Sequence, residues 1–313
     1  MLVVNSLVPV FAIMALGLVL RRTGFMTEAA TQGFNRFAYF IGLPLLLFYK
    51  IGHAPIVFAS ANRFFWTMAG ATLAGMLIMW MGAWILRVPA FSKGALLQAA
   101  FRGNLAFVGL PVVMFTFAHL PEAERVVIES AVLLAITPTI ILYNLLSVAA
   151  LAIYNRDSAQ GLTPRKIWKN VWANPLMLGC LSGILWNLAG LTLPTPFARV
   201  CEVIAPAAFP IALIGIGGQL AQTSIRGHAV WAVWSSLVKT VCCPWAAWWI
   251  GSQLGLAGIE LKILVILCAM PTAVTTYVMT DQMNGDRALA ASAVVICTML
   301  SFVSLSVILS LPI

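Results

Sequence analysis

Of the 313 residues, 62% are hydrophobic and only 9% are charged, and the formal net charge is +9. A soluble domain carries about a quarter charged residues, so water is excluded as the main solvent of this chain. Nucleic-acid binding is excluded too, because the basic residues fall as ones and twos between apolar runs and form no clustered patch.

Crossing a bilayer takes about 20 apolar residues per helix, and uncharged stretches of roughly that length recur along the whole chain. They predict spans over 2–20, 30–50, 64–86, 94–118, 127–153, 175–193, 201–221, 229–252, 260–280 and 287–311. The first has no basic region before it and Arg21-Arg22 after it, the order of a retained span rather than a cleaved signal. The second contains Arg36 and Pro44, and the third contains no charge. The fourth reads AFRGNLAFVGLP over 100–111, with Arg102 and Asn104 around Gly103, then Gly109 and Pro111. A basic loop follows the fifth, the sixth carries Gly179 and Gly183 at GxxxG spacing, and the seventh carries GIGG at 215–218. Close helix packing accounts for the GxxxG, and the GIGG lacks the strand and spacing of a dinucleotide loop, so neither implies a cofactor. Lys239 interrupts the eighth span at mid-depth. The ninth holds AMPTAVTTYVMTDQ over 269–282, with Pro271 followed by Thr272, Thr275 and Thr276.

No Ser/Gly-rich or charged linker separates independent cores, so the chain reads as one all-α polytopic membrane unit. Its halves echo each other at a spacing of 162 residues: Leu16-Gly17 with Leu178-Gly179, Pro44 with Pro206, Glu124-Arg125 with Asp286-Arg287, and Ser130-Ala131-Val132 with Ser292-Ala293-Val294. Residues 1–154 and 175–313 therefore read as two five-helix repeats joined by a loop over 155–174. Because five is odd, the second copy enters the membrane upside down, an arrangement common among secondary transporters. The loops after odd-numbered spans hold Arg21, Arg22, Arg87, Lys93, Arg156, Arg165, Lys166, Lys169, Arg226 and Arg287, against Lys50, Arg63, Arg125, Arg199 and Lys262 on the other side. The positive-inside rule then puts both termini outside the cytoplasm and the central loop inside it.

Glycine and proline in the fourth and ninth spans free backbone groups, and in a bilayer these are tolerated only where protein or a water-filled cavity satisfies them. Two helices broken by Gly103, Gly109, Pro111 and Pro271 would aim half-helix N-termini at a shared centre, each with about half a positive charge. Anions are favoured there. Arg102 either faces such an anion, or snorkels to the surface or hydrogen-bonds helix carbonyls. Asn104, Thr272, Thr275 and Thr276 either contact a ligand or bridge neighbouring helices. Asn5, Asn144 and Asn187 either line the cavity or join helices, and Asn5 is included with the ligand-contacting set. Lys239 reads as a charge partner, a proton-linked group or a snorkelling lysine. Glu129, Glu202 and Asp281 lie near span ends, where solvation is expected. Cys180, Cys201, Cys242, Cys243, Cys268 and Cys297 form no CxxC, and His53, His119 and His228 fall in predicted loops without metal-ligand spacing. No metal or cofactor is implied.

The two interrupted spans resemble the auxin efflux carrier family, bacterial type. The family's fourth-helix signature, Asn followed after four residues by Gly-x-Pro, is matched by Asn104, Gly109 and Pro111, and its ninth-helix motif by Pro271, Ala273 and Tyr277. The likeness continues through NGDRALAASAV over 284–294. The resemblance implies a ten-helix, bile-acid-symporter-like fold, a scaffold from helices 1, 2, 6 and 7, a moving domain from the rest, elevator-type alternating access and a homodimer. Bacterial members are assigned malonate, malate and related acids. Span three departs from the plant members, which carry an acid and a lysine there, so neither proton linkage nor auxin transport is carried over.

The expected function is secondary transport of a small organic anion such as a mono- or dicarboxylate across a bacterial inner membrane, uncoupled or coupled to a proton or sodium. A membrane sensor or scaffold and a cation/proton antiporter are the rivals. The first lacks a soluble output domain, and the second would bury carboxylates at mid-depth. An enzyme is not expected, since no intramembrane nucleophile or acid pair is recognisable. Compartment reporters fused to either terminus should report from outside the cytoplasm, and a cytoplasmic signal from both would invert the topology.

Overall fold

The computed structural model describes residues 2–154, 173–223 and 229–311. Most of the 155–174 loop, including Arg156, Arg165, Lys166 and Lys169, lies outside the described residues, as do Arg226 and His228. The described residues are helical apart from short connections: α1 (Leu2–Arg22), α2 (Glu28–Phe37), α3 (Leu43–His53), α4 (Phe58–Ile85), α5 (Ala90–Phe101), α6 (Leu110–Thr116), α7 (Glu122–Tyr154), α8 (Pro175–Leu188), α9 (Thr195–Gln222), α10 (Ala229–Leu237), α11 (Cys243–Gln253), α12 (Gly258–Cys268), α13 (Thr275–Gln282) and α14 (Arg287–Ser310). Five of them, α1, α4, α7, α9 and α14, are long and apolar enough to cross a membrane unaided.

Three single π-turns, Ala38–Gly42, Leu105–Gly109 and Val238–Cys242, join α2 to α3, lead into α6, and join α10 to α11. Each is followed by a proline one residue into the next helix, Pro44, Pro111 and Pro244. Proline has no N–H and clashes with the carbonyl four residues back, so the ladder widens locally instead of breaking. Before Pro244 the freed carbonyl is that of Thr240, and the Ser304 hydroxyl donates to it at 2.6 Å. Pro206, the repeat partner expected for Pro44, sits instead inside the continuous α9.

The helices pack in two groups. In the first, α1 lies along α9, α3 along α8, and α2 and α3 both rest on α9. Glycines bring these backbones close: a Cβ on Gly17 would collide with the Ile214 backbone, one on Gly217 with the Met14 backbone, and ones on Gly179 and Gly183 with Pro44 and Phe48. Small residues permit this approach in lipid, where van der Waals contact drives helix association. Asn187 ends α3 by donating to the carbonyls of Ile51, Gly52 and Ala54 at 3.0, 3.2 and 2.8 Å. In the second group α4, α7, α10, α11 and α14 surround two broken elements, α5 with α6 and α12 with α13. Asp286 caps α14 by accepting from the Leu289 N–H at 2.9 Å and also accepts from the Ser92 hydroxyl at 2.6 Å.

Contacts between the groups run through α1 against α6 and α14, α8 against α7, α9 against the π-turn Leu105–Gly109, and α3 against α7. The last of these corrects the expectation for Glu129. It is buried, with 7% exposure, because Lys50 reaches across from α3 to 2.8 Å and Arg125 stands one turn before it at 3.8 Å. Glu202 and Asp281 are exposed, as expected.

Overpacking a close helix contact costs about 1–3 kcal/mol, so Gly217→Val should lower the melting temperature of the purified protein. Gly33→Ala, at a site with open space around it, is the control. Equal melting temperatures for the two variants would mean that α1 and α9 do not approach this closely.

Candidate substrate cavity at the helix crossing

The break in α5 falls at Arg102–Asn104 rather than at Pro111. Arg102 turns extended at φ −79°, ψ 93°, and Asn104 opens the next helical segment, Leu105–Thr116. Opposite it, α12 ends at Cys268 and Pro271 prevents its continuation. Gly103 and Thr272 then form an isolated antiparallel bridge. The Asn104 N–H donates to the Pro271 carbonyl at 2.8 Å, and the Ala273 N–H donates to the Arg102 carbonyl at 2.9 Å.

The carbonyl ends of the broken helices are also supplied with donors. Thr272 Oγ1 donates to the Ala99 carbonyl at 2.7 Å, Cys243 Sγ lies 3.4 Å from the Ala100 carbonyl, and Lys239 Nζ donates to the Cys268 carbonyl. Cys297 Sγ receives the Thr272 N–H at 3.3 Å. Two of the buried thiols thus pair with backbone groups and are more than apolar filler. Gln98 ties the segments further, donating to the Thr276 carbonyl and the Thr280 hydroxyl.

On the other face of the crossing lies a cavity of about 1620 Å³. Both half-helix N-terminal tips reach it, through Leu105, Ala106 and Phe107 on one side and Val274 and Thr275 on the other. First-turn N–H groups have no acceptor in their own helix, so these tips present donors and partial positive charge to the space. The cavity opens at the helix ends that carry Glu28, Gln222, Gln282 and Arg287, and no lining residue comes from the opposite ends. Among the described residues its charged lining is Arg36, Arg102 and Arg287 against Glu28. Glu28 stands 3.8 Å from Arg21, and Arg287 3.4 Å from Asp281.

Arg102, 6% exposed, does not snorkel. Its guanidinium donates to Asn144 Oδ1 at 2.7 Å and touches Met279 Sδ, and the side chain lines the cavity. Gly103, Asn104 and Thr275 line it with Arg102. Three of the expected residues do not line this cavity. Asn5 is exposed on α1, away from the cavity. Thr272 spends its hydroxyl on Ala99, and Thr276 is fully buried behind the wall, because consecutive helical positions cannot all face one side. Gly109 packs against Leu267 and Met270, and Pro111 lies beyond the π-turn, so both shape the segment without lining the cavity. Pro271 contributes its carbonyl to the bridge. Sequence reasoning left Asn144 undecided and missed Tyr39 and Tyr143, aromatic residues in apolar runs with no local signal, which line the cavity near Arg102.

A family model described as membrane transport protein matches residues 2–309. The chain belongs to this family. It corresponds to the auxin efflux carriers that the crossing motifs resemble. An uncharacterized transporter of Methanothermobacter thermautotrophicus is 24% identical over 304 residues, covering 96% of this chain and 95% of the relative. A protein of Rhizobium meliloti provisionally named a malonate transporter is 22% identical over 315 residues, covering 99% and 95%. The chain is therefore a multi-pass membrane transport protein, and membership makes an enzyme unexpected.

A buried carbonyl deprived of its donor costs about 1–3 kcal/mol. Thr272→Val should therefore lower the melting temperature, whereas Thr275→Val, facing the cavity, should change stability by no more than about 0.5 kcal/mol. The reverse ranking would exchange the roles assigned to these two threonines.

Proposed function

We propose that this transporter carries a small organic anion bearing one or two carboxylates, bound at the crossing between Arg102 and the two half-helix tips. The observation that carries this reading is a buried guanidinium lining the same cavity as both tips. Each tip contributes about half a positive charge. With the guanidinium the crossing presents about two, which suits a dicarboxylate. The planar fork of arginine matches a carboxylate, and Asn144 holds it in place. Asn104 and Thr275 face the same space, while Tyr39 and Tyr143 border it. The provisional malonate name of the Rhizobium relative belongs to the same substrate class.

The architecture that suits this task is two inverted five-span repeats, 1–154 and 175–313, joined by the 155–174 loop. The order of helices supports it: α1, then α2 with α3, α4, the broken pair α5 and α6, and α7 run parallel in order to α8, α9, α10 with α11, the broken pair α12 and α13, and α14. The two packing groups correspond to a scaffold of spans 1, 2, 6 and 7 and a moving body around the crossing. Relative sliding of these bodies is an elevator motion. Placing the basic loops in the cytoplasm of a bacterium turns the cavity mouth inward and both termini outward, with Lys50 and Glu129 linking the two bodies on the outer side. A homodimer follows from the family resemblance.

Arg102→Ala should abolish carboxylate uptake into proteoliposomes while leaving membrane abundance near that of the wild type, and Arg102→Lys should restore it only in part. Uptake that survives Arg102→Ala, or thermal stabilisation by neutral or cationic solutes in place of carboxylates, would overturn the anion reading.

A further inference from the structure

The crossing has a negative side as well as a positive one. The C-termini of α5 and α12 meet behind the bridge, each carrying about half a negative charge. Lys239, 1% exposed, stands there and donates to the last carbonyl of α12. It lies directly behind Gly103: a Cβ on that glycine would come within 3.2 Å of Lys239 Cε and 3.3 Å of Nζ. Gly103 itself lines the cavity, so only the thickness of the bridge separates ammonium from ligand space. Among the described residues no carboxylate forms an ion pair with Lys239. A buried ammonium is costly unless balanced, and two C-terminal tips together supply about one negative charge. The π-turn Val238–Cys242, imposed by Pro244, carries Lys239 at this depth.

In carriers with broken helices, half-helix C-termini and unwound carbonyls are where a coupling cation binds. We propose that the Lys239 ammonium permanently occupies this cation position, so that anion binding at the crossing requires no sodium, and that removing the ammonium opens a monovalent-cation site. The inference rests on the anion-carrier reading for its link to substrate, but the occupant of the carbonyl ends is tested separately. Lys239 is a positioning residue: it ties down the carbonyl end of α12 and adds positive potential behind Gly103 without touching the substrate.

The experiment measures melting temperature and carboxylate affinity of the purified full chain in sodium chloride and in choline chloride at equal ionic strength. Wild type, Lys239→Ala and Lys239→Met are compared, the last keeping an uncharged chain of similar length. In the wild type, exchanging sodium for choline should change affinity by less than about twofold. In Lys239→Ala, affinity in choline should fall about tenfold or more, and sodium, without any carboxylate present, should raise the melting temperature. Lys239→Met should lose affinity with little response to sodium, because its side chain fills the space. A sodium requirement in the wild type overturns the proposal, as does wild-type affinity in Lys239→Ala under choline. Weakened binding in Lys239→Ala that sodium, lithium and potassium all leave unchanged, in affinity and in melting temperature, overturns the cation site. Should no carboxylate bind the wild type, the anion reading fails, while the melting-temperature arm still decides what occupies the carbonyl ends.

Discussion

Two backbone hydrogen bonds hold the crossing together, from Asn104 N–H to the Pro271 carbonyl and from Ala273 N–H to the Arg102 carbonyl. Hydrocarbon offers no water to an unpaired peptide group, so a helix can be interrupted at depth only where another segment supplies the missing partners. Here each broken segment supplies them to the other. Neither break is stable without its counterpart, and the surrounding side chains serve that pairing: Thr272 and Cys243 at the end of α5, Lys239 at the end of α12, and Gln98 across to α13. The cavity exists because the helices stop there.

The same interruption sorts charge. Breaking two helices at one place creates four helix ends, and the geometry puts the two positive tips on the cavity side and the two negative tips on the buried side. Each side receives a side chain suited to it. Arg102 extends the positive surface of the cavity, where its partner is an amide rather than an acid. Lys239 donates to the carbonyl end of α12 and is not itself among the residues that line the cavity. The charge pattern of this site therefore follows from the direction of the backbone dipoles.

Much of this was legible in the amino-acid order. Helical stretches lie within several residues of the predicted ranges, five of them long and apolar enough to cross a membrane, and two of the larger discrepancies occur beside charged residues. The helix begun at Phe58 runs through Arg63 because Glu260 pairs with that arginine at 3.8 Å and accepts from the Ser60 hydroxyl at 3.0 Å. Likewise α7 begins at Glu122, and Glu129 is buried against Lys50. The expectation that Gly179 and Gly183 mediate helix packing agrees with the contacts they make, and Gly215, Gly217 and Gly218 prove to pack just as closely.

What the sequence by itself determined was the sort of molecule: helices in lipid, two of them interrupted, near Gly103 and near Pro271, with a cation beside one interruption. Length, apolarity and the absent N–H of proline are local properties, and a chain carries them wherever it goes. Only the tertiary structure decided which of three threonines faces the cavity, that Asn5 does not, that Asn144 holds Arg102, and that Lys239 ends on the carbonyl side of the crossing. Each of those depends on what a distant segment places within about 3 Å of a given atom, a relation that no local pattern encodes.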